Sequence, residues 1–76
     1  MRSVKIKLTA ISDIRNIVST IEKYSVEAKL KSGSYIVNAK SLLGIFSLDL
    51  MKPVELIVAG NDCEPLLSEV SQYIVA

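Results

Sequence analysis

The sequence of 76 residues has no histidine, no tryptophan, a single cysteine and few aromatic side chains, namely three Tyr and one Phe. Without histidine, the chain lacks the imidazole that most often serves as a general base or a metal ligand. A single cysteine excludes an internal disulfide. Nine basic and eight acidic residues give a net charge of +1, and no basic cluster predicts a nucleic-acid partner.

Long apolar runs are also missing. No run approaches the ~20 residues that cross a membrane, and no signal-peptide segment follows Met1 and Arg2. We therefore expect a cytoplasmic protein that has no membrane or nucleic-acid partner, uses no cofactor and is not an enzyme. The acidic residues form no close pair that would predict a hydrolytic dyad or a metal site: Asp49, Glu55, Asp62, Glu64 and Glu69.

Half of the residues are hydrophobic, and the scarcity of aromatic side chains leaves Ile, Val and Leu to build the core. A chain of this length buries roughly 60% of the surface that its unfolded form exposes, which is enough for one compact core. We expect a single domain over residues 1–76. An aliphatic core suits a sheet that is covered by helices on one face.

Hydrophobic periodicity predicts a strand and then a helix at the start of the chain. Val4, Ile6 and Leu8 alternate with polar residues, as in a strand with one buried face. Either Ser12 or Asp13 can cap the helix that follows. Its apolar residues recur at spacings of three and four, which predicts one buried face: Ile11, Ile14, Ile17, Val18 and Ile21.

Three further strands are predicted by alternation and by turn residues. Val26, Ala28 and Leu30 alternate with charged residues, and Ser32-Gly33-Ser34 connects this run to residues 35–39. Two alternating runs joined by a short glycine-containing link are typical of a β-hairpin. Residues 54–59, which are apolar apart from Glu55, predict a central strand, which Gly60 ends.

Two more helices complete the predicted order. Ser41 precedes the apolar residues 42–48, which suit a two-turn helix capped by the Ser41 hydroxyl. Asp62 can cap a last helix with Pro65 in its first turn, where the missing N–H costs little. The predicted buried face of this helix contains Leu66, Leu67, Val70, Tyr73 and Ile74.

The predicted order of elements is β-α-β-β-α-β-α. This order favours an α+β open-faced sandwich, in which three helices cover one face of a four-stranded antiparallel sheet.

Residues 40–50 form a serine-led apolar segment, Lys-Ser-Leu-Leu-Gly-Ile-Phe-Ser-Leu-Asp-Leu. This segment resembles the regulatory-serine segment of HPr, the phosphocarrier of the bacterial sugar phosphotransferase system, although Asp49 stands where glycine is commoner. Residues 8–10, 23–24, 37–41 and 60–62 match the family pattern as well, so the resemblance spans nearly the whole chain. It implies an HPr-like fold and places Ser41 at the regulatory serine.

The segment between Ala10 and Asp13 departs from the HPr pattern. Family members carry a loop there with the phosphorylated histidine and a phosphate-binding arginine, and the loop of this chain is several residues shorter. Counting back from Lys23 places Ala10 at the position of the histidine and Ser12 at that of the arginine. Arg15 lies one turn further along, where it fits an ordinary exposed helix residue or a replacement for that arginine.

The resemblance and the missing histidine together imply an HPr-like member without the active-site histidine. Phosphohistidine relay needs an imidazole nitrogen as nucleophile, and the sequence supplies none. Two interpretations of Ser41 stay open. It is either a phosphoacceptor for an HPr-kinase-like enzyme or only the N-cap of a short helix.

Leu42, Leu43 and Phe46 follow Ser41, and the family uses equivalent apolar residues as an exposed docking patch. A two-turn helix cannot bury all of its apolar residues on one face, so some are available to a partner, while others join the core. Cys63 falls in the first turn of the last helix, where a thiol can become reactive. Without a histidine base we expect it to be a passive small residue.

These observations predict an HPr-like domain without phosphocarrier activity. We expect it to act as a regulatory or protein-interaction module that presents the Ser41 helix to a kinase or a transcriptional regulator of the phosphotransferase system. The alternative is a small α+β module that binds a ligand or self-associates and shares only the HPr fold.

Overall fold

A computed structural model describes residues 1–61 and 63–75. The order of elements is the predicted one, except that a separate 3₁₀ turn, Ser71–Tyr73, follows the last helix. The elements in chain order are β1 (Arg2–Ile6), α1 (Ile11–Glu22), β2 (Glu27–Ser32), β3 (Tyr35–Asn38), α2 (Leu42–Phe46), β4 (Val54–Ala59) and α3 (Cys63–Glu69).

The four strands form one antiparallel sheet in the order β1-β4-β2-β3. The two central strands, β4 and β2, pair Leu56 with Leu30, and β1 adds Val4 opposite Leu56. A two-residue link joins β2 to β3, and Gly33 adopts a positive φ of 61° there, which side chains with a Cβ rarely adopt. The predicted hairpin and the predicted α+β fold class are confirmed.

Burial is confined to one face of the sheet. The opposite face carries a row of charged side chains in register, Lys5, Glu55 and Lys31, on neighbouring strands. In β2 and β4, buried residues therefore alternate with residues of the opposite face, as the period of two requires. The largest fully buried side chains come from all layers: Ile6, Ile17, Ile21, Leu30, Ile45, Leu56 and Leu66.

The first turn of α1 differs from the prediction. Ile11 is 62% exposed, because it lies at the helix start, beyond the last core side chain, and lines an open groove. The prediction that Ser12 or Asp13 is the N-cap is also wrong. The helix begins at Ile11, so Ala10 is the N-cap, with extended backbone angles, and Asp13 is the third helical residue.

Element ends differ in three further places. β1 ends at Ile6, although Leu8 is buried as expected. α2 ends at Phe46 and α3 at Glu69, both earlier than predicted. Helix α3 stops because the chain turns toward β1, where the Lys7 N–H donates to the Tyr73 carbonyl at 2.9 Å. The predicted capping role of Asp62 lies outside the described residues.

Isoleucines at two positions of α1 provide a direct test of this burial pattern. Ile21 is fully buried, so Ile21→Ala should lower the free energy of unfolding by about 2–5 kcal/mol. Ile11→Ala, on the same helix, should change it by less than about 0.5 kcal/mol. Urea unfolding followed by circular dichroism measures both. Equal losses at the two positions would show that Ile11 is part of the core.

Candidate functional site

Ser41 connects β3 to α2 and is the N-cap of α2. Its exposed hydroxyl accepts a hydrogen bond from the Gly44 N–H at 3.3 Å, and its carbonyl accepts one from the Ile45 N–H at 3.0 Å. The Ser41 N–H donates to the Asn38 carbonyl at 2.9 Å, which ties the cap to the end of β3. The capping role is therefore observed, and phosphorylation of Ser41 stays a prediction.

Gly44 lets α2 pack closely against the sheet. A Cβ at this position would lie 3.2 Å from the Ser41 hydroxyl oxygen and 3.3 Å from Cβ of Val37 on β3. Both contacts would be tighter than ordinary van der Waals packing. The Ser47 hydroxyl donates to the Gly44 carbonyl at 2.6 Å and closes the other end of the helix. The close approach of α2 to β3 thus explains why a glycine stands in the middle of this short helix.

The apolar side chains of α2 divide between core and solvent. Ile45 is fully buried, and Leu42 is half-buried against the core. Leu43 is 83% exposed and Phe46 is 44% exposed. Of the three predicted contact residues, Leu43 and Phe46 are open to a partner, whereas Leu42 contributes mainly to packing.

Phe46 forms one wall of an open groove of about 560 Å³. Sequence reasoning missed two of its exposed residues, because Ile11 fits a buried helical pattern and Met51 stands outside any periodic run. Since both are exposed, they extend the apolar surface beyond α2. The groove is lined by Lys7, Leu8, Thr9, Ala10, Ile11, Ile14, Phe46, Leu50 and Met51.

Lys7 connects two walls of this groove. Its ammonium donates to the Leu50 carbonyl at 3.1 Å and to the Met51 carbonyl. Lys7 follows β1, whereas Leu50 and Met51 precede β4, so this side chain holds together segments that are distant in sequence. The connection after α2 is thereby fixed relative to the start of α1.

The turn before α1 is organised by the carboxylate of Asp13. It accepts hydrogen bonds from the Thr9 N–H at 3.1 Å, the Thr9 hydroxyl at 3.0 Å and the Ala10 N–H at 3.2 Å. These bonds, those from Thr9 first, stabilise the charged form and lower the pKa of Asp13. The backbone N–H groups of Thr9 and Ala10 are thus used within the chain. Arg15 is exposed further along the helix.

Cys63 and the acidic residues that the structure describes are the remaining candidates. Cys63 is buried, and its thiol lies 3.3 Å from the Gly60 carbonyl oxygen. Across residues 1–61 and 63–75, no three His, Cys, Asp or Glu side chains are grouped so that they could hold a metal ion. Within the same ranges, every helix is too short or too polar to cross a membrane.

No protein-family model and no curated protein matches this chain, but solved structures do. The crystal structure of HPr-C-His from Thermoanaerobacter tengcongensis has a TM-score of 0.81 and 29% identity, over 95% of this chain and 89% of that one. An HPr dimer from the same organism is 30% identical, with a TM-score of 0.71, over 86% and 76%. Crh from Bacillus subtilis, described as a swapped dimer, is 28% identical, with a TM-score of 0.70, over 92% and 82%.

The Ser41 cap can be tested by substitution. Ser41→Ala removes the oxygen that accepts from Gly44 and should lower the free energy of unfolding by about 1 kcal/mol. Ser41→Asp should retain most of the stability, because aspartate caps helices about as well as serine does. Thermal and urea unfolding measure both variants. If Ser41→Ala were as stable as the unchanged protein, the cap would contribute nothing.

Asp13 should make stability depend on acid pH. Because its pKa is lowered in the folded state, its contribution is present above the unfolded pKa of about 3.9. It is lost as pH falls through the folded pKa. Asp13→Ala should therefore be less stable than the unchanged protein at pH 7, and the difference should shrink toward pH 2. Urea titrations at both pH values measure this gap, and a constant gap would contradict the role of the ionised carboxylate.

Proposed function

Because the chain belongs to the HPr-like phosphocarrier family of the bacterial sugar phosphotransferase system, we propose that it is a member without phosphocarrier activity. It acts as a cytoplasmic regulatory or protein-interaction module. It presents Ser41 and the exposed side chains of α2 to a protein partner, which is a kinase or a transcriptional regulator of the same system. The observation that carries this proposal is the pairing of an exposed family-type serine segment with a sequence that contains no histidine.

The turn before α1 supports the loss of phosphocarrier activity. A phosphocarrier histidine needs an imidazole nitrogen to accept and release the phosphoryl group. Ala10, which corresponds to that histidine when the sequence is counted back from Lys23, has only a methyl side chain. The N–H groups of Thr9 and Ala10 both donate to the carboxylate of Asp13, so a phosphate would meet a negative charge where it needs donors.

The surface around α2 supports a protein partner. Leu43 and Phe46 are both exposed on α2. Phe46 also lines the groove, and Ile11 and Met51 enlarge its apolar rim. Exposed apolar patches on a small protein mark interaction sites, and aromatic and methionine side chains, such as Phe46 and Met51, are enriched in interfaces. A partner that covers Phe46 and enters the groove would therefore remove most of this apolar surface from water.

Ser41 supports a regulatory role for the same surface. A phosphate on its exposed hydroxyl adds nearly two negative charges next to Leu43, at the edge of the apolar patch. Helix α2 has only five residues, so its dipole contributes little to holding that charge. Phosphorylation thus acts by changing the charge of the surface that a partner contacts.

The test is phosphorylation of the full chain by an HPr-type serine kinase with ATP. One added phosphate should appear by mass spectrometry, and peptide mapping should place it on Ser41. Ser41→Ala should abolish the modification. Ser47→Ala is the matched control, because Ser47 is an exposed serine at the other end of α2 and its removal should leave the modification intact.

Phosphorylated enzyme I provides the complementary measurement. No labelled phosphate should pass from it to this chain, since phosphotransfer in the family uses histidine. Transfer of label would overturn the loss of phosphocarrier activity. Failure of the kinase to modify the chain, or modification only at other serines, would overturn the regulatory role of Ser41.

A further inference from the structure

The two edges of the sheet differ in their backbone hydrogen bonding. The outer edge of β1 is covered by the segment after the 3₁₀ turn, because the Lys7 N–H donates to the Tyr73 carbonyl at 2.9 Å and the Val75 N–H donates to the Lys5 carbonyl at 2.8 Å. Strand β3 forms the other edge. No strand in the part of the chain that the structure describes pairs with its outer side.

The free hydrogen-bonding groups of β3 follow from its pairing with β2. The Ala39 N–H donates to the Ala28 carbonyl at 2.9 Å, so the backbone of Ala39 faces β2. Because this direction alternates along an antiparallel strand, the groups of Val37 and Tyr35 also face β2. The N–H and C=O of Ile36 therefore point outward, away from the sheet.

The side chains of this edge are uncharged, and the two at its middle, Ile36 and Val37, are apolar. Tyr35 is 72% exposed and Ile36 is 57% exposed, and the strand Tyr-Ile-Val-Asn contains neither charge nor proline. Natural proteins usually protect edge strands with lysine, proline or a bulge, which prevents pairing with another chain. β3 is short, with four residues, but within it there is no lysine, proline or bulge.

We propose that β3 pairs in antiparallel orientation with β3 of a second copy of this chain, centred on Ile36. The Ile36 N–H of each copy donates to the Ile36 carbonyl of the other, and the two sheets of four strands become one continuous sheet. Centring on Ile36 suits the edge, because the Asn38 carbonyl already accepts the Ser41 N–H.

The side chains of this pairing are self-complementary. The two Ile36 side chains meet on the polar face of the sheet, and Tyr35 of each copy lies opposite Val37 of the other on the helical face. The nearest like charges belong to Lys31, which is the cross-strand neighbour of Ile36. In the dimer, these two lysines are three strand spacings apart, about 14 Å, which exceeds the Debye length of about 8 Å.

The proposed dimer places both α2 helices on the same side of the sheet. A two-fold axis perpendicular to a continuous sheet keeps the helical faces of both copies together. Helix α2 follows β3 directly, so the two Ser41 segments lie at opposite ends of the paired strands. A four-residue edge buries less than the ~1,200 Å² of stable interfaces, so we expect a dissociation constant between roughly 10 μM and 1 mM.

Sedimentation equilibrium of the full chain from 10 μM to 1 mM tests the proposal. The unchanged protein should shift from monomer to dimer across this range, and Ile36→Lys should weaken the dimer at least tenfold. Ile36→Pro should do the same, because the N–H that it removes makes no bond to β2. Ser19→Lys adds the same charge at an exposed position of α1 and should leave dimerisation unchanged.

Circular dichroism should show that the Ile36 variants stay folded, and concentration-dependent protection of the Ile36 amide from hydrogen exchange should identify the edge directly. A monomer at 1 mM would overturn the proposal. Dimerisation that survives in both folded Ile36 variants would also overturn it, as would a dimer that Leu43→Lys abolishes and Ile36→Lys does not.

Discussion

Burial of a single face of the sheet is the constraint on which the rest of this small structure depends. The central strands pair Leu30 with Leu56, and α1 covers them with Ile17 and Ile21, all of which are fully buried. Because one layer of helices suffices to cover one face, the opposite face carries the row of charged side chains, and apolar surface stays uncovered at the end of the helical layer and on the β3 edge. The candidate site lies where that layer ends, between the start of α1 and α2.

Much of this architecture could be predicted from local patterns. Alternation identified β1 and β2, because a strand with one buried face has a period of two. The bounds of β4 agree with those predicted, because Pro53 and Gly60 stand directly before and after the strand. The Ser41 cap was predictable for a similar reason, since a serine before a short apolar run has few other local roles. These features depend on neighbours in sequence.

The predictions that failed concern features that depend on tertiary structure. Ile11 has the right helical spacing for burial, but the core ends before it, and a periodic pattern contains no information on where a core ends. Asp13 was predicted as a cap, yet it reaches back from inside the helix to Thr9 and Ala10. The groove beside Phe46 could not be predicted, because its residues come from the regions around β1, α1 and α2.

The ammonium of Lys7, which holds the carbonyls of Leu50 and Met51, has a consequence for how the molecule can be recognised. The walls that it joins are more than 40 residues apart in sequence, at a separation of 43 for the bond to Leu50. The groove therefore exists only while the chain is folded, and a peptide carrying residues 40–50 would reproduce the serine without the surface beside it. A partner that contacts both the serine and the groove binds folded copies of the chain and not unfolded ones. Binding of such a partner therefore depends on the domain being folded.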